Sequence, residues 1–156
     1  METRFNFMKA SPGAYGAMLG LEKYSQECGL EEALLHLIKL RASQINGCAF
    51  CLDMHRKDLR AIGEKEQRMY SLDAWRECPY YSERERAALA WTEAVTLITV
   101  GHVPDAVYAE ARAQFSAKEI CDLTLAVAAI NAWNRLAISS RTVPGAYQAQ
   151  PAKAAH

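Results

Sequence analysis

The run SQINGCAFCLDMH, Ser43 to His55, carries two thiols three residues apart and an imidazole four residues beyond the second. Each residue of an α-helix turns about 100° and rises about 1.5 Å. With Cys48 set at zero, Cys51 falls at about −60° and His55 at about −20°, so all three share one narrow face. Along the axis His55 stands about 6 Å from Cys51 and about 10 Å from Cys48. A thiol reacts as its thiolate, and the free N–H groups of a helix's first turn favour that charge. The spacing predicts that Cys51, nearest the imidazole, is the more acidic thiol. His55 is then its base, and Cys48 can close a disulfide onto it.

Three chemistries fit these residue types. The first is thiol redox. The second is zinc binding, which needs a fourth ligand or a water, with His36 and His102 as candidates. A ligand set strung along one helix spans a long axial distance, which counts against that arrangement. The third is structural filling of a core.

The whole chain narrows the field. It has 156 residues, 51% hydrophobic and 23% charged, the balance of a globular protein with one sizeable core. Lysine plus arginine equals aspartate plus glutamate at 18 each, so no basic surplus points to nucleic acid or an anionic membrane. No apolar run nears the roughly 20 residues of a membrane span. The start, METRFNFMKASPGAYG, lacks the apolar block of a secretion signal, and the expected location is cytoplasmic. Five cysteines, at 28, 48, 51, 78 and 121, form one close pair and no disulfide framework. Cys28, Cys78 and Cys121 read as small buried hydrophobes.

Helical periodicity recurs and strand alternation does not. The expectation is an all-α, single-domain bundle of about six or seven helices over 1–156. Its core covers about 11–141, and a tail at 142–156, opened by Val143-Pro144-Gly145, should fray. Ser11-Pro12 starts a helix that Gly29 stops. A second runs from Glu31 to about Ile45, and Asn46-Gly47 breaks it. A third, carrying the cysteines, runs to about Ile62 before Gly63. A short helix follows from Glu64 to about Ser71, and Glu77–Ser82 is a loop. Ser82 and Glu85 form a capping box. It opens a helix that Gly101 ends, with Ala87, Ala88, Trp91, Ala94, Val95 and Ile98 facing inward. Pro104 to about Phe115 is the next. Ser116 and Glu119 form a second capping box before the most apolar helix, with Ile120, Leu123, Val127, Ile130, Trp133 and Ala137 inward. The segment Leu123–Ile138 is either a central core helix or part of a subunit interface.

The run LLHLIKLRASQINGCAFCLDMHRKDLRAIGE resembles the core motif of the alkylhydroperoxidase D and carboxymuconolactone decarboxylase family. The segments SPGAYGAMLGLEKY, SERERAALAWTEAVTLI and HVPDAVYAEARAQFSAKEICDLTLAVAAINAWNRLAIS extend the resemblance over most of the chain. It implies an all-helical fold and a homo-oligomer, a trimer or hexamer. It also implies thiol-dependent reduction of alkyl hydroperoxides with no bound cofactor or metal, reset by an external dithiol reductant. Carried onto this chain, Cys51 is peroxidatic, Cys48 resolves and His55 assists as base. The CAFC pair argues against the family's decarboxylase chemistry. Where the family motif usually has a glutamate twelve residues before the first cysteine, this chain has His36, a candidate proton relay or metal ligand. Glu93, in WTEA, is a weaker candidate for the missing carboxylate. Ala49-Phe50 replaces a histidine of hydroperoxidase D proper between the cysteines and suggests a more apolar entrance.

Other polar residues read as structural. Asn131, Asn134 and Arg135 satisfy buried groups or bind across an interface. Arg41 and Ser43 hold the motif's loop. Trp75, Trp91 and Trp133 are core or interface anchors.

Overall fold

The computed structural model describes residues 2–149. Among the described residues there are eight α-helices: α1 (Phe7–Ala10), α2 (Pro12–Glu27), α3 (Glu32–Asn46), α4 (Ala49–Ala61), α5 (Glu66–Tyr70), α6 (Glu83–Thr96), α7 (Asp105–Gln114) and α8 (Ala117–Ser140). A short 3-10 turn, Leu72–Ala74, follows α5. The fold is all-α, as the periodicity predicts.

The centre is a layer of α3, α6 and α8, each packed on the other two. Leu34, Leu35 and Ile38 of α3 meet Ala87, Ala88 and Trp91 of α6 and Leu123, Ala126 and Val127 of α8 in one buried cluster. The alanines let the backbones approach, so a few large side chains fill the remaining space. α8 is therefore the central core helix of the two readings offered for Leu123–Ile138. Its buried positions recur along its whole length, from Ile120 to Ser140. No helix among the described residues is long and apolar enough to cross a membrane.

Both capping boxes form. Ser82 N–H donates to Glu85 Oε2 at 2.8 Å and Glu85 N–H returns to Ser82 Oγ at 3.2 Å. Ser116 and Glu119 do the same at 2.8 and 3.2 Å. Because α8 carries the core, its cap has a measurable effect. Ser116→Ala should lower unfolding free energy by about 1 kcal/mol in denaturant melts, with the helical signal of the native state unchanged.

Four expectations change, the first being that Cys121 is exposed and Cys28 and Cys78 only half-buried, not buried hydrophobes. The helix opened at Ser82 ends at Thr96 instead of Gly101, so Ile98 is exposed rather than inward. Trp133 is only partly buried, and sits among Phe7 and Tyr15 in an aromatic group. The tail does not fray through 149. Lys57 Nζ donates to the carbonyls of Gly145 and Tyr147, and Gly145 N–H donates to Asp53. The rest of the tail expectation, 150–156, lies outside the described residues.

Candidate active site

Two helices and one glycine set the site. α3 ends at Asn46, and Gly47 caps it at φ 67°, the left-handed conformation that L side chains disfavour. The chain turns there and Cys48 follows as the N-cap of α4, with extended φ/ψ of −84° and 96°. Cys48 thus stands before the helix, not within its first turn as the spacing assumed. Its Sγ faces the helix's open N–H groups and accepts from Cys51 N–H at 3.4 Å. The two sulfurs lie 2.7 Å apart as free thiols, and both are buried.

Polar side chains hold this turn from α8. Asn46 Nδ2 donates to Asn131 Oδ1 and to Asn134 Oδ1, each at 2.8 Å. Asn134 Nδ2 donates to Ser43 Oγ at 3.0 Å, and Ser43 Oγ donates to Lys39 O at 2.8 Å. Cys48 N–H closes the turn on Ser43 O at 3.1 Å. The asparagines and Ser43 are structural, as expected, and their object is the cysteine turn itself.

The spacing points to Cys51 as the more acidic thiol, whereas the N-cap position favours Cys48. Cys48 is lowered below the ordinary thiol range. Its side-chain contact with the Cys51 thiol is the main cause, opposed by burial and helped by Cys51 N–H and Asn134. Cys51 is raised, by the same side-chain contact and because it is buried next to the charge on Cys48. The reason is positional. An N-cap sulfur meets helix donors, whereas a sulfur one turn in is itself the donor. The sign for stability follows. A lowered thiol stabilises the fold above its unfolded value, about 8.5, and that contribution fades as pH falls through the folded value.

Thiolate ultraviolet absorbance of the reduced protein should therefore rise with a midpoint below about 8.5. Asn134→Ala should move that midpoint up. It should also cost about 2–3 kcal/mol, since it removes two hydrogen bonds from a fully buried side chain and leaves a cavity. An unmoved midpoint in that variant would separate Asn134 from the thiols.

His55 is buried on the same helix, but no hydrogen bond joins it to Cys51, and neither of its ring nitrogens has a hydrogen-bond partner. Its neighbours are Asp58, with Nδ1 3.5 Å from Oδ2, and His36, with ring centroids 5.8 Å apart. His36 Nδ1 lies 3.8 Å from the same Asp58 oxygen. Burial pushes both imidazoles down, His36 to about 4 with the help of His55 beside it. Both rings are neutral near pH 7. Burial pushes the Asp58 carboxyl up, but the His55 ring and the Tyr147 hydroxyl outweigh it, and the net direction is down. Tyr147 O–H donates to Asp58 Oδ1 at 2.7 Å.

Asp58, not Glu93, is the carboxylate that lies beside these two histidines. Glu93 is engaged elsewhere, accepting from Arg41, Trp75 and Arg76 at 2.6–2.9 Å. The zinc set of both cysteines with His55 and His36 is not assembled either. Among the described residues the cluster with metal-ligand spacing is His36, His55 and Asp58, without a sulfur. His102 sits in an exposed turn at φ 57°. Asp58 was detectable in the sequence as a carboxylate three residues beyond His55 on the same helical face. Tyr147 carried no signal, because only the folded-back tail brings it there.

Phe50 packs against the buried cluster that contains both cysteines and Ile130, an apolar flank of the kind Ala49-Phe50 suggested. A cleft of about 460 Å³ runs beside Ala49, and its other walls include Asp53, Arg56 and Arg60. Leu52 and Pro144 complete the lining, so the cleft is mixed in character, and neither cysteine lines it.

The sequence profile of the carboxymuconolactone decarboxylase family matches residues 12–94, from α2 through most of α6. The uncharacterized protein YdfG of Bacillus subtilis (strain 168) is 42% identical over 139 residues, covering 89% of this chain and 95% of that one. The chain belongs to the carboxymuconolactone decarboxylase family. Its fold is AhpD-like. It superposes with TM-score 0.90 on a crystal structure from Agrobacterium tumefaciens, 49% identical, covering 94% of this chain and all of that one. That protein is described as of unknown function and a candidate antioxidant defence protein AhpD. A peroxidase-related protein of Ralstonia eutropha JMP134 with an AhpD core gives TM-score 0.76 at 19% identity, covering 89% and 74%. At that identity the likeness extends to the fold alone.

Proposed function

We propose that the protein is a thiol-dependent peroxidase that reduces organic hydroperoxides through Cys48 and Cys51. The observation carrying this reading is the buried pair of free sulfurs 2.7 Å apart at a helix N-terminus. Its high identity to the Agrobacterium protein linked with antioxidant defence supports the same chemistry.

Cys51 is the attacking sulfur and Cys48 is its immediate base. The Cys51 proton passes along the existing hydrogen bond to the Cys48 thiolate. Cys51 then attacks the terminal peroxide oxygen, the O–O bond breaks, and the alkoxide takes the proton from Cys48 and leaves as an alcohol. Cys51 is now a sulfenic acid. Cys48, again a thiolate, attacks the Cys51 sulfur and expels hydroxide, which takes a proton and leaves as water. The Cys48–Cys51 disulfide is reduced to two thiols by an external dithiol, itself oxidised to its disulfide. With no ion bound, His55, His36 and Asp58 carry protons between the buried pair and solvent, His36 being the partly exposed end. A reducing, cytoplasmic setting would supply the dithiol.

The proposal includes a homo-oligomer, a trimer or hexamer. Leu97, Ile98 and Val100 are exposed together after α6, an apolar surface that assembly would cover. Light scattering on the purified chain tests that point.

The function is tested by adding one equivalent of cumene hydroperoxide to reduced protein. Loss of two hydrogens, mapped to Cys48–Cys51, with repeated turnover once a dithiol is supplied, is the expected result. Unchanged thiols would defeat the reading. Oxidation without turnover by any dithiol would make the pair a sensor instead.

A further inference from the structure

We propose that His36, His55 and Asp58 form a zinc site with three protein ligands, distinct from the cysteine pair. The ligand atoms of these three residues all lie within 4.8 Å of one another. Each histidine approaches Asp58 Oδ2 through Nδ1, at 3.8 and 3.5 Å. Zinc holds nitrogen and oxygen donors at about 2.0–2.2 Å in a tetrahedral array, which places donors roughly 3.3–3.6 Å apart. Small side-chain rotations bring this cluster to that spacing.

The hydrogen bonding points to a ligand. Buried polar atoms are almost always satisfied. Here His55 Nδ1, His55 Nε2 and His36 Nδ1 are buried with no hydrogen-bond partner. A separation of 3.5 Å or more is too long for a strong direct bond to the carboxylate and suits an ion held between the groups. Asp58 is oriented for that role, because Tyr147 O–H binds its other oxygen at 2.7 Å and leaves Oδ2 facing the rings. The buried Lys39 ammonium, which would oppose a cation, is paired with Glu22. Two imidazoles and a carboxylate are donors zinc accepts, and three protein ligands leave a fourth position for water. The ion would bridge α3, which carries His36, to α4, which carries His55 and Asp58.

The test uses the reduced, chelator-treated full chain and reads metal binding, not peroxide turnover. Cobalt(II) should bind at one equivalent per chain with visible tetrahedral bands, lack the thiolate-to-cobalt charge-transfer band, and be displaced by zinc. The double variant Cys48→Ser/Cys51→Ser should bind equally well. His36→Ala and Asp58→Asn should each weaken zinc at least tenfold with helical circular dichroism retained. Tyr147→Phe should weaken it roughly tenfold, the effect of losing a group that orients a ligand. Two variants at different positions guard against loss of fold in either. Absence of cobalt binding would overturn the site, as would a thiolate band or unchanged zinc affinity in both His36→Ala and Asp58→Asn.

Discussion

Cys51→Ser should lower the rate of hydroperoxide reduction by roughly three orders of magnitude or more, because it removes the nucleophile of a covalent mechanism. Its counterpart, Cys48→Ser, should behave differently. That variant retains a nucleophile, so one turnover should leave a sulfenic acid on Cys51 that a dimedone probe traps. It loses the base that takes the Cys51 proton and the thiol that resolves the product, so multiple turnover should stop. The contrast between the variants matters more than either loss. The raised acidity of Cys48 admits the opposite assignment, in which Cys48 attacks and Cys51 resolves. A trapped sulfenate on Cys48 in Cys51→Ser, with none on Cys51 in Cys48→Ser, would reverse the roles. Cys51 is proposed as the attacking sulfur because the family resemblance gives that role to the second cysteine of the pair.

His55→Gln should reduce turnover about 100-fold, the scale of losing a positioned proton carrier. Glutamine roughly preserves the buried volume but cannot accept and release a proton near neutrality. The pH dependence distinguishes this from a packing effect. Burial lowers the His55 imidazole below its ordinary value and keeps it neutral near pH 7, so the acid limb of the wild-type profile is assigned to the thiols instead. That limb should follow the first thiol ionisation, with activity rising as pH increases through the lowered Cys48 value. In His55→Gln the limb should stay in place while the plateau falls. A limb that moves with the substitution would mean that His55 acts by tuning the thiols instead. An unchanged plateau would remove His55 from the proton path.

The helix pattern was readable from the chain because it rests on local chemistry. Ser82 and Ser116, each followed three residues later by glutamate, marked the starts of α6 and α8, and both capping boxes form. Element ends were less legible. Val95 to Gly101 looks helical, yet the helix stops at Thr96, where the buried face ends and Leu97 and Ile98 point to solvent. The cysteine turn was located correctly, but the place of Cys48 relative to the helix was not. An angular wheel treats Cys48 as helical, whereas Gly47 turns the chain and makes it the cap.

The sequence by itself determined the all-α class, the thiol pair, its nearness to a helix start, and the histidine on the same face. These follow from spacing within a few residues, where backbone geometry leaves little freedom. Only the tertiary structure decided what surrounds those groups. It paired α3 with α4, so that His36 meets His55 and Asp58, and it set Asn131 and Asn134 of α8 against Asn46. It also folded Tyr147 back onto Asp58 and committed Glu93 to two arginines and a tryptophan. Such contacts join residues tens of positions apart. They depend on which helix faces pack together, and no local rule of spacing contains that information.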